Sequence, residues 1–256
     1  METLTSLKNP KVALWRSLRE RRARKENGLF FVEGRKMVAE ALHSRFATEA
    51  VLCDEEHRDE FAGLLDQAPQ VYLLPEHVLA AVCDTKTPQG IAAVLRLPTD
   101  EQETRSRRLV ALDDVQDPGN VGTILRTADA AGFDGVLLSD ACADPFSPKV
   151  LRATMGSIFR MKVQTVRLAE TLGGLREQGY AVLSSQLDGQ PFYDAVKTIG
   201  APFVLIVGNE GNGVSEAVAA TATHHVKLPM RGGAESLNAA VAAAIMMYEL
   251  TRELGE

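Results

Sequence analysis

The sequence predicts an α/β protein of two successive domains: a small α/β domain over residues 1–98, a linker over 99–108, and a larger domain built on a parallel sheet over 109–256. Three observations carry that expectation. Short apolar runs of strand length alternate with stretches whose apolar residues recur at helical spacing, and they do so in two series. The segment between the series is polar and charged, with no apolar periodicity. Strands of the second series run into glycine-bearing turns, the places where an open parallel sheet holds ligands. The chain has 256 residues, 45% hydrophobic and 24% charged. That is enough apolar matter for two cores, and it excludes a disordered or fibrous chain.

In the first series a helical pattern runs from Pro10 to Lys25, with Val12, Leu14, Trp15 and Leu18 forming one apolar stripe. Asn27-Gly28 breaks it. Phe30–Val32 reads as a strand, Arg35–Leu42 as a helix, Ala50–Cys53 as a strand, Glu56–Leu65 as a helix, Val71–Leu74 as a strand, Glu76–Val82 as a helix and Ile91–Leu95 as a strand. The second series opens on the strand Leu109–Leu112 and the helix Asn120–Ala131. Next come the strand Gly135–Ser139, the helix Ser147–Met155, the strand Met161–Val166 and the helix Leu168–Gln178. Strands Ala181–Ser185, Phe203–Val207 and Val226–Leu228 complete it, with helices Val214–Ala220 and Leu237–Leu254. Apolar strands alternating with helices imply a parallel sheet covered on both faces.

Charge narrows the function classes. The whole chain is at net −6, yet residues 1–50 hold 11 Lys+Arg against 6 Asp+Glu. Lys8, Lys11, Arg19, Arg21, Arg22, Arg24 and Lys25, with Arg16, are interrupted only by Glu20. Such density neutralises phosphates and releases counterions, so nucleic acid is a natural partner; a solvated helix face is the plainer alternative. Trp15 suits packing against Val12 or Leu18, or stacking on a base. Three cysteines with no CxxC spacing argue against a disulfide framework or a thiolate zinc site, and neither a metal nor a membrane segment is expected. His43, His57, His77, His224 and His225 read as structural or surface residues. Together these features predict a cytoplasmic protein.

Three loops after strands carry candidate chemistry. In Asp113-Asp114-Val115-Gln116-Asp117-Pro118-Gly119-Asn120, Pro118-Gly119 makes a turn and Asn120 suits a helix cap. Arg126 lies six positions on, which at about 100° per residue is a different face of that helix. Both residues also fit plain roles, as a cap and as a surface charge. In Gly208-Asn209-Glu210-Gly211-Asn212-Gly213, glycines allow close backbone approach, but the spacing is neither GxGxxG nor a P-loop. Glu210 fits a helix N-terminus electrostatically, or a ligand hydroxyl. In Leu228-Pro229-Met230-Arg231-Gly232-Gly233-Ala234-Glu235-Ser236-Leu237-Asn238, a double-glycine loop leads to an alanine-rich helix that Glu235 or Ser236 suits as cap.

In this order and at these strand ends, the three loops resemble the motifs of the SpoU (TrmH) branch of the SPOUT RNA methyltransferases. The resemblance covers Leu109 to Leu250, and the preceding portion resembles the small ribosomal-protein-like substrate-binding domain that often accompanies it. It implies a C-terminal chain threaded into a trefoil knot, an exception to the usual avoidance of knots. It further implies a homodimer, S-adenosylmethionine as donor, and methylation of a ribose 2′-hydroxyl in RNA, with ribosomal RNA favoured over transfer RNA by the extra domain. Carried over position by position, Arg126 matches the catalytic arginine, and Asn120, Glu210, Ser236 and Asn238 match the other polar site residues. Gly208, Leu228, Met230 and Leu237 match the cofactor-holding positions. Where the family often reads Asn-Val-Ser, this chain has Asn238-Ala239-Ala240, which leaves no hydroxyl at Ala240. A sulfonium methyl is already activated, so the reaction needs alignment and a proton acceptor rather than a metal. Because a guanidinium stays protonated, Arg126 is expected to hold a phosphate and developing negative charge, with action as a base as the alternative. A non-catalytic RNA-binding protein of the ribosome is the competing reading from another class; it leaves the three loops idle.

Overall fold

The structure, a computed structural model, describes residues 1–98 and 106–253. Residues 99–105 of the expected linker lie outside the described residues. The chain forms two compact units. One comprises residues 1–98 with Phe146–Arg160; the other comprises residues 106–145 and 161–253.

In the first unit the elements are β1 (Glu2–Thr3), α1 (Pro10–Ser17), α2 (Arg21–Asn27), β2 (Leu29–Glu33), α3 (Arg35–Leu42), β3 (Thr48–Asp54), α4 (Ala62–Leu65), β4 (Val71–Leu74), α5 (Glu76–Val82) and β5 (Ile91–Arg96). The sheet order is β1-β4-β3-β5-β2. β1, β4 and β3 are mutually parallel, while β5 runs antiparallel to β3 and β2. Val12, Trp15 and Leu18 pack with Tyr72, Leu74, Val78 and Val82 into one core, and the Trp15 ring lies 5.0 Å from that of Tyr72. Trp15, only 5% exposed, is a packing residue.

The expected helix Pro10–Lys25 is two helices, broken at Leu18-Arg19-Glu20. Leu18 turns into the core at 1% exposure, and the Arg24 guanidinium fills the break, donating to the carbonyls of Leu18 and Arg19 at 2.7 Å each. The break thus satisfies carbonyls that an ended helix would leave unpaired. The expected helix Glu56–Leu65 also shortens, to a 3-10 turn at Glu55–His57 and α4. Asp54 causes it: its carboxylate accepts the Glu56 N–H and meets His57 Nδ1 at 3.1 Å, which stabilises a tight turn in place of a helical start.

Phe146–Arg160 contributes α7 (Pro148–Thr154) and a 3-10 turn, Ser157–Phe159, to this unit although the sequence places the segment inside the second series. Aromatic packing explains it. Phe146 sits 4.9 Å from Phe30, and Phe159 sits 5.8 Å from Phe46. Arg152 pairs with Glu33 at 3.1 Å and Asp84 at 2.8 Å, and Arg160 pairs with Glu40 at 2.6 Å.

The second unit continues with β6 (Arg108–Asp113), α6 (Pro118–Ala130), β7 (Gly135–Leu138), β8 (Lys162–Thr165), α8 (Leu168–Glu177), β9 (Ala181–Pro191), α9 (Phe192–Ala195), β10 (Phe203–Gly208), α10 (Glu216–Ala219), β11 (His224–Lys227) and α11 (Ala239–Glu253). Its sheet order is β11-β9-β10-β6-β7-β8, and every pairing is parallel. Leu109 and Ala111 face a core with Leu168, Leu172 and Val218, while the alternate residues Val110 and Leu112 are buried on the opposite face. Two covered faces account for unbroken apolar strands such as Phe203–Val207. β9 reaches Pro191, beyond the expected Ser185, because β11 pairs first with Leu183 and Ser184 and then, after a register shift, with Gln190 and Pro191.

Candidate active site

Four strand ends supply the site. After β6 the chain runs through Asp113 and Asp114 to α6. Asp117, with Pro118 at the first helical position, caps this helix, its carboxylate accepting the Asn120 N–H at 2.8 Å. The expectation that Asn120 is the cap is therefore corrected. With the cap supplied three residues earlier, the Asn120 side chain is released from local duty.

That side chain joins the three loops. Asn120 Nδ2 donates to Glu210 Oε1 at 2.7 Å, and Asn238 Nδ2 donates to Asn120 Oδ1 at 3.0 Å. Asn238 Oδ1 in turn accepts the N–H groups of Ala240 and Val241, at 3.0 and 3.2 Å. Asn238 is thus the cap of α11, where the sequence suggested Glu235 or Ser236. The hydrogen bonds all run one way, from the helix N-terminus through two amides to a carboxylate. Each amide orientation is fixed by its neighbours.

Other predicted site residues fall around this chain. Arg126 lies further along α6, exposed and without a hydrogen-bond partner among the described residues. Ser236 is exposed and likewise unpartnered. Gly208 ends β10, and a Cβ there would lie 2.2 Å from the Gly213 carbonyl carbon, so the turn folds back on itself over a residue that must lack a side chain. This closeness is between two parts of the turn. Before α10, the N–H of the capping residue Ser215 donates to Asp113 Oδ2 at 2.7 Å. Leu228 is half-buried, while Met230 and Leu237 are 37% and 38% exposed.

S-adenosylmethionine offers an adenine, hydroxyls, an amino-acid end and a sulfonium, and the residues present fit it. Met230 and Leu237 offer apolar surface, and among the described residues no hydrogen bond engages the backbone from 229 to 237. Its amides and carbonyls are open to a ligand. Among the described residues no cluster of His, Cys, Asp or Glu has metal-binding geometry.

The basic N-terminal stretch divides. Lys8 and Lys25 are exposed, and Arg22 is exposed with an ion pair to Glu26 at 2.6 Å. Arg21 is half-buried. Lys11 bonds Tyr72 and Glu2, at 2.7 and 3.0 Å, and those bonds raise its pKa. Arg19 donates to the carbonyls of Ala81, Val82 and Cys83, which end α5. Arg24, 2% exposed, is committed to the carbonyls of Leu18 and Arg19 and is not open to a phosphate.

Sequence reasoning missed Asp114, Ser139 and Asn209. Ser139 Oγ donates to Asp114 Oδ1 at 2.6 Å and accepts the Asp114 N–H at 2.9 Å. Asn209 Nδ2 donates to the Asp114 carbonyl at 2.8 Å. Asp114 has φ +57°, uncommon outside glycine, which no sequence pattern announces. Cys142 is buried behind Ser139, and burial pushes its thiol pKa up.

An α/β unit whose polar groups converge beyond the carboxyl edge of a parallel sheet defines a ligand-binding protein of the topological-switch class. The family model described as SpoU rRNA Methylase family matches residues 107–248, and an MRM3-like substrate binding domain matches residues 9–93. The 23S rRNA (guanosine(2553)-2′-O)-methyltransferase RlmP of Bacillus subtilis is 40% identical over 98% of this chain and 99% of its own length. Two solved structures are also similar. A putative RNA methyltransferase of the TrmH family from Porphyromonas gingivalis has TM-score 0.85 and 38% identity, covering 96% of this chain and 99% of its own. The AdoMet-bound rRNA methyltransferase from Sinorhizobium meliloti has TM-score 0.86 and 32% identity, covering 99% and 98%. The chain belongs to the SpoU rRNA methylase family. It is an RNA methyltransferase that uses S-adenosylmethionine to modify a ribose 2′-hydroxyl.

Proposed function

We propose that the protein methylates a ribose in large-subunit ribosomal RNA, of the guanosine class named for the Bacillus subtilis relative, as a cytoplasmic homodimer with a knotted C-terminal chain. The observation that carries the catalytic reading is the hydrogen-bonded chain Glu210–Asn120–Asn238, which draws one residue from each loop to a common point. S-adenosylmethionine supplies a methyl group on a sulfonium, ready for in-line displacement by the ribose oxygen. Gly208, Leu228, Met230 and Leu237 hold the donor, largely through backbone groups and apolar contact. Glu210 and Asn238 fix the Asn120 amide, and Ser236 keeps a hydroxyl open to the ribose or the donor. Arg126, without a partner among the described residues and permanently charged, binds the phosphate next to the target ribose and stabilises negative charge developing on its oxygen. Lys8, Arg22 and Lys25 extend the contact along the RNA backbone.

Support for the homodimer comes from Leu237, Val241, Ile245 and Tyr248. They are 37–54% exposed and spaced four, four and three residues apart, one apolar stripe running from the last loop along α11.

Replacing Arg126 by Ala should abolish methyl transfer while calorimetry finds donor binding nearly intact; equal loss of both rejects the role given to Arg126. Mapping ribose methylation in ribosomal RNA from cells lacking the protein tests the substrate. A single large-subunit guanosine losing its methyl group is the expected result.

A further inference from the structure

Asn209 stands between Gly208 and the carboxylate of Glu210. We propose that Asn209 is a positioning residue for methyl transfer, one that aims Glu210 at Asn120. The proposal rests on the catalytic reading of the Glu210–Asn120–Asn238 chain.

Every polar group of Asn209 is used. Its backbone N–H and C=O both pair with Gly213, at 2.9 and 3.0 Å, closing the turn that carries Glu210. Its Oδ1 accepts the N–H groups of Gly211 and Asn212 at 2.8 and 3.0 Å, fixing the two peptides that follow Glu210. Its Nδ2 donates to the carbonyl of Asp114 at 2.8 Å, bolting the closed turn to the end of β6. Asp114 is itself immobilised in its left-handed conformation by both bonds to Ser139. Asn209, Asp114 and Ser139 follow β10, β6 and β7, three adjacent strands, so one residue beyond each strand end is tied to its neighbour.

Glu210 itself is exposed on a turn with three nearby glycines. A free turn of that composition samples many conformations. Anchored at Gly213 and at Asp114, it delivers the carboxylate to the Asn120 amide. Catalysis that depends on alignment is sensitive to shifts of this kind.

The test uses the full-length protein, radiolabelled S-adenosylmethionine and ribosomal RNA from cells lacking the enzyme. Asn209→Ala should lower kcat by about tenfold or more while KM for each substrate changes less than about threefold. Asn209→Asp keeps the acceptor for Gly211 and Asn212 but loses the donor to Asp114, and should fall between. Combined with Glu210→Ala, the Asn209→Ala change should add less than about twofold to the loss from Glu210→Ala alone, since both act through one carboxylate. Losses that multiply overturn the proposal, because they mean that Asn209 acts on the fold and not through Glu210. A crystal structure of Asn209→Ala decides independently of activity: Glu210 and Asn120 should separate, and a bond persisting near 2.7 Å overturns the proposal. Wild-type enzyme inactive on this RNA would count against the substrate reading alone, with the crystal structure still deciding the role of Asn209.

Discussion

Asp117 and Asn120 are both suited to capping a helix, and they lie three residues apart before the same helix. The residue types were legible, but their division of labour was not, because either satisfies the local requirement. The overlooked signal was Pro118 at the first helical position, which makes Asp117 the preceding cap. Asp117→Ala should cost about 1 kcal/mol of stability in denaturant melts. Asn120→Ala should instead lower kcat by about tenfold or more with a smaller change in melting. Thiol chemistry offers a second test at this scale. Cys53, Cys83 and Cys142 are buried, and burial pushes all three thiol pKa values up, for Cys53 from 9.0 to about 11. Raised values favour the unreactive thiol. A disulfide reagent at pH 8 should leave the native protein unlabelled over a time in which it labels all three cysteines in denaturant. Native stability should also fall as pH climbs from 9.0 towards about 11, since the unfolded Cys53 loses its proton first.

Among the elements, strand positions came through the sequence well because two covered faces leave runs of apolar residues with no polar interruption. Helices that end for tertiary reasons did not. The split between α1 and α2 depends on Arg24 folding back onto two carbonyls, an arrangement with no signature in a run of arginines. Arg24→Ala should therefore destabilise by about 1–3 kcal/mol, read from the denaturation midpoint, while RNA affinity changes little. The strand Glu2–Thr3 was missed because two residues are too few to show alternation. On α11 the Ala240, Ala243, Met246, Met247 and Leu250 face is buried, while Val241, Ile245 and Tyr248 are exposed. If the proposed homodimer packs through this stripe, Ile245→Asp should sediment as a monomer, because a desolvated carboxylate in an apolar contact is costly. An unchanged sedimentation coefficient, if dimeric, would place the contact elsewhere.

Across the whole molecule the charge asymmetry is the feature with the widest reach. A chain at net −6 carries +5 in its first 50 residues. Deleting residues 1–25 would remove Val12, Trp15 and Leu18 from the core along with the charges, so the better probe is reversal of Lys8, Arg22 and Lys25 to Glu. That variant should bind RNA more weakly with a shallower salt dependence, each lost phosphate contact reducing the log–log slope by roughly 0.7–0.9. A slope equal to wild type would place the RNA elsewhere. The three-loop site was recognisable from sequence as a set of motifs, because glycine, amide and carboxylate positions are fixed by local turn chemistry. The braces behind it, at Asp114, Ser139 and Asn209, were not legible, since they join residues as much as 95 positions apart.

Phe146–Arg160 has a practical bearing on how such enzymes are taken apart and recombined. A researcher who swaps the front module by cutting once, after residue 98, would take Phe146 from Phe30 and Phe159 from Phe46, and leave Glu33 and Glu40 without Arg152 and Arg160. Such a chimera should aggregate or melt early. Exchange of recognition modules within this architecture needs two transplanted stretches, the second lifted from between two strands of the recipient's own sheet.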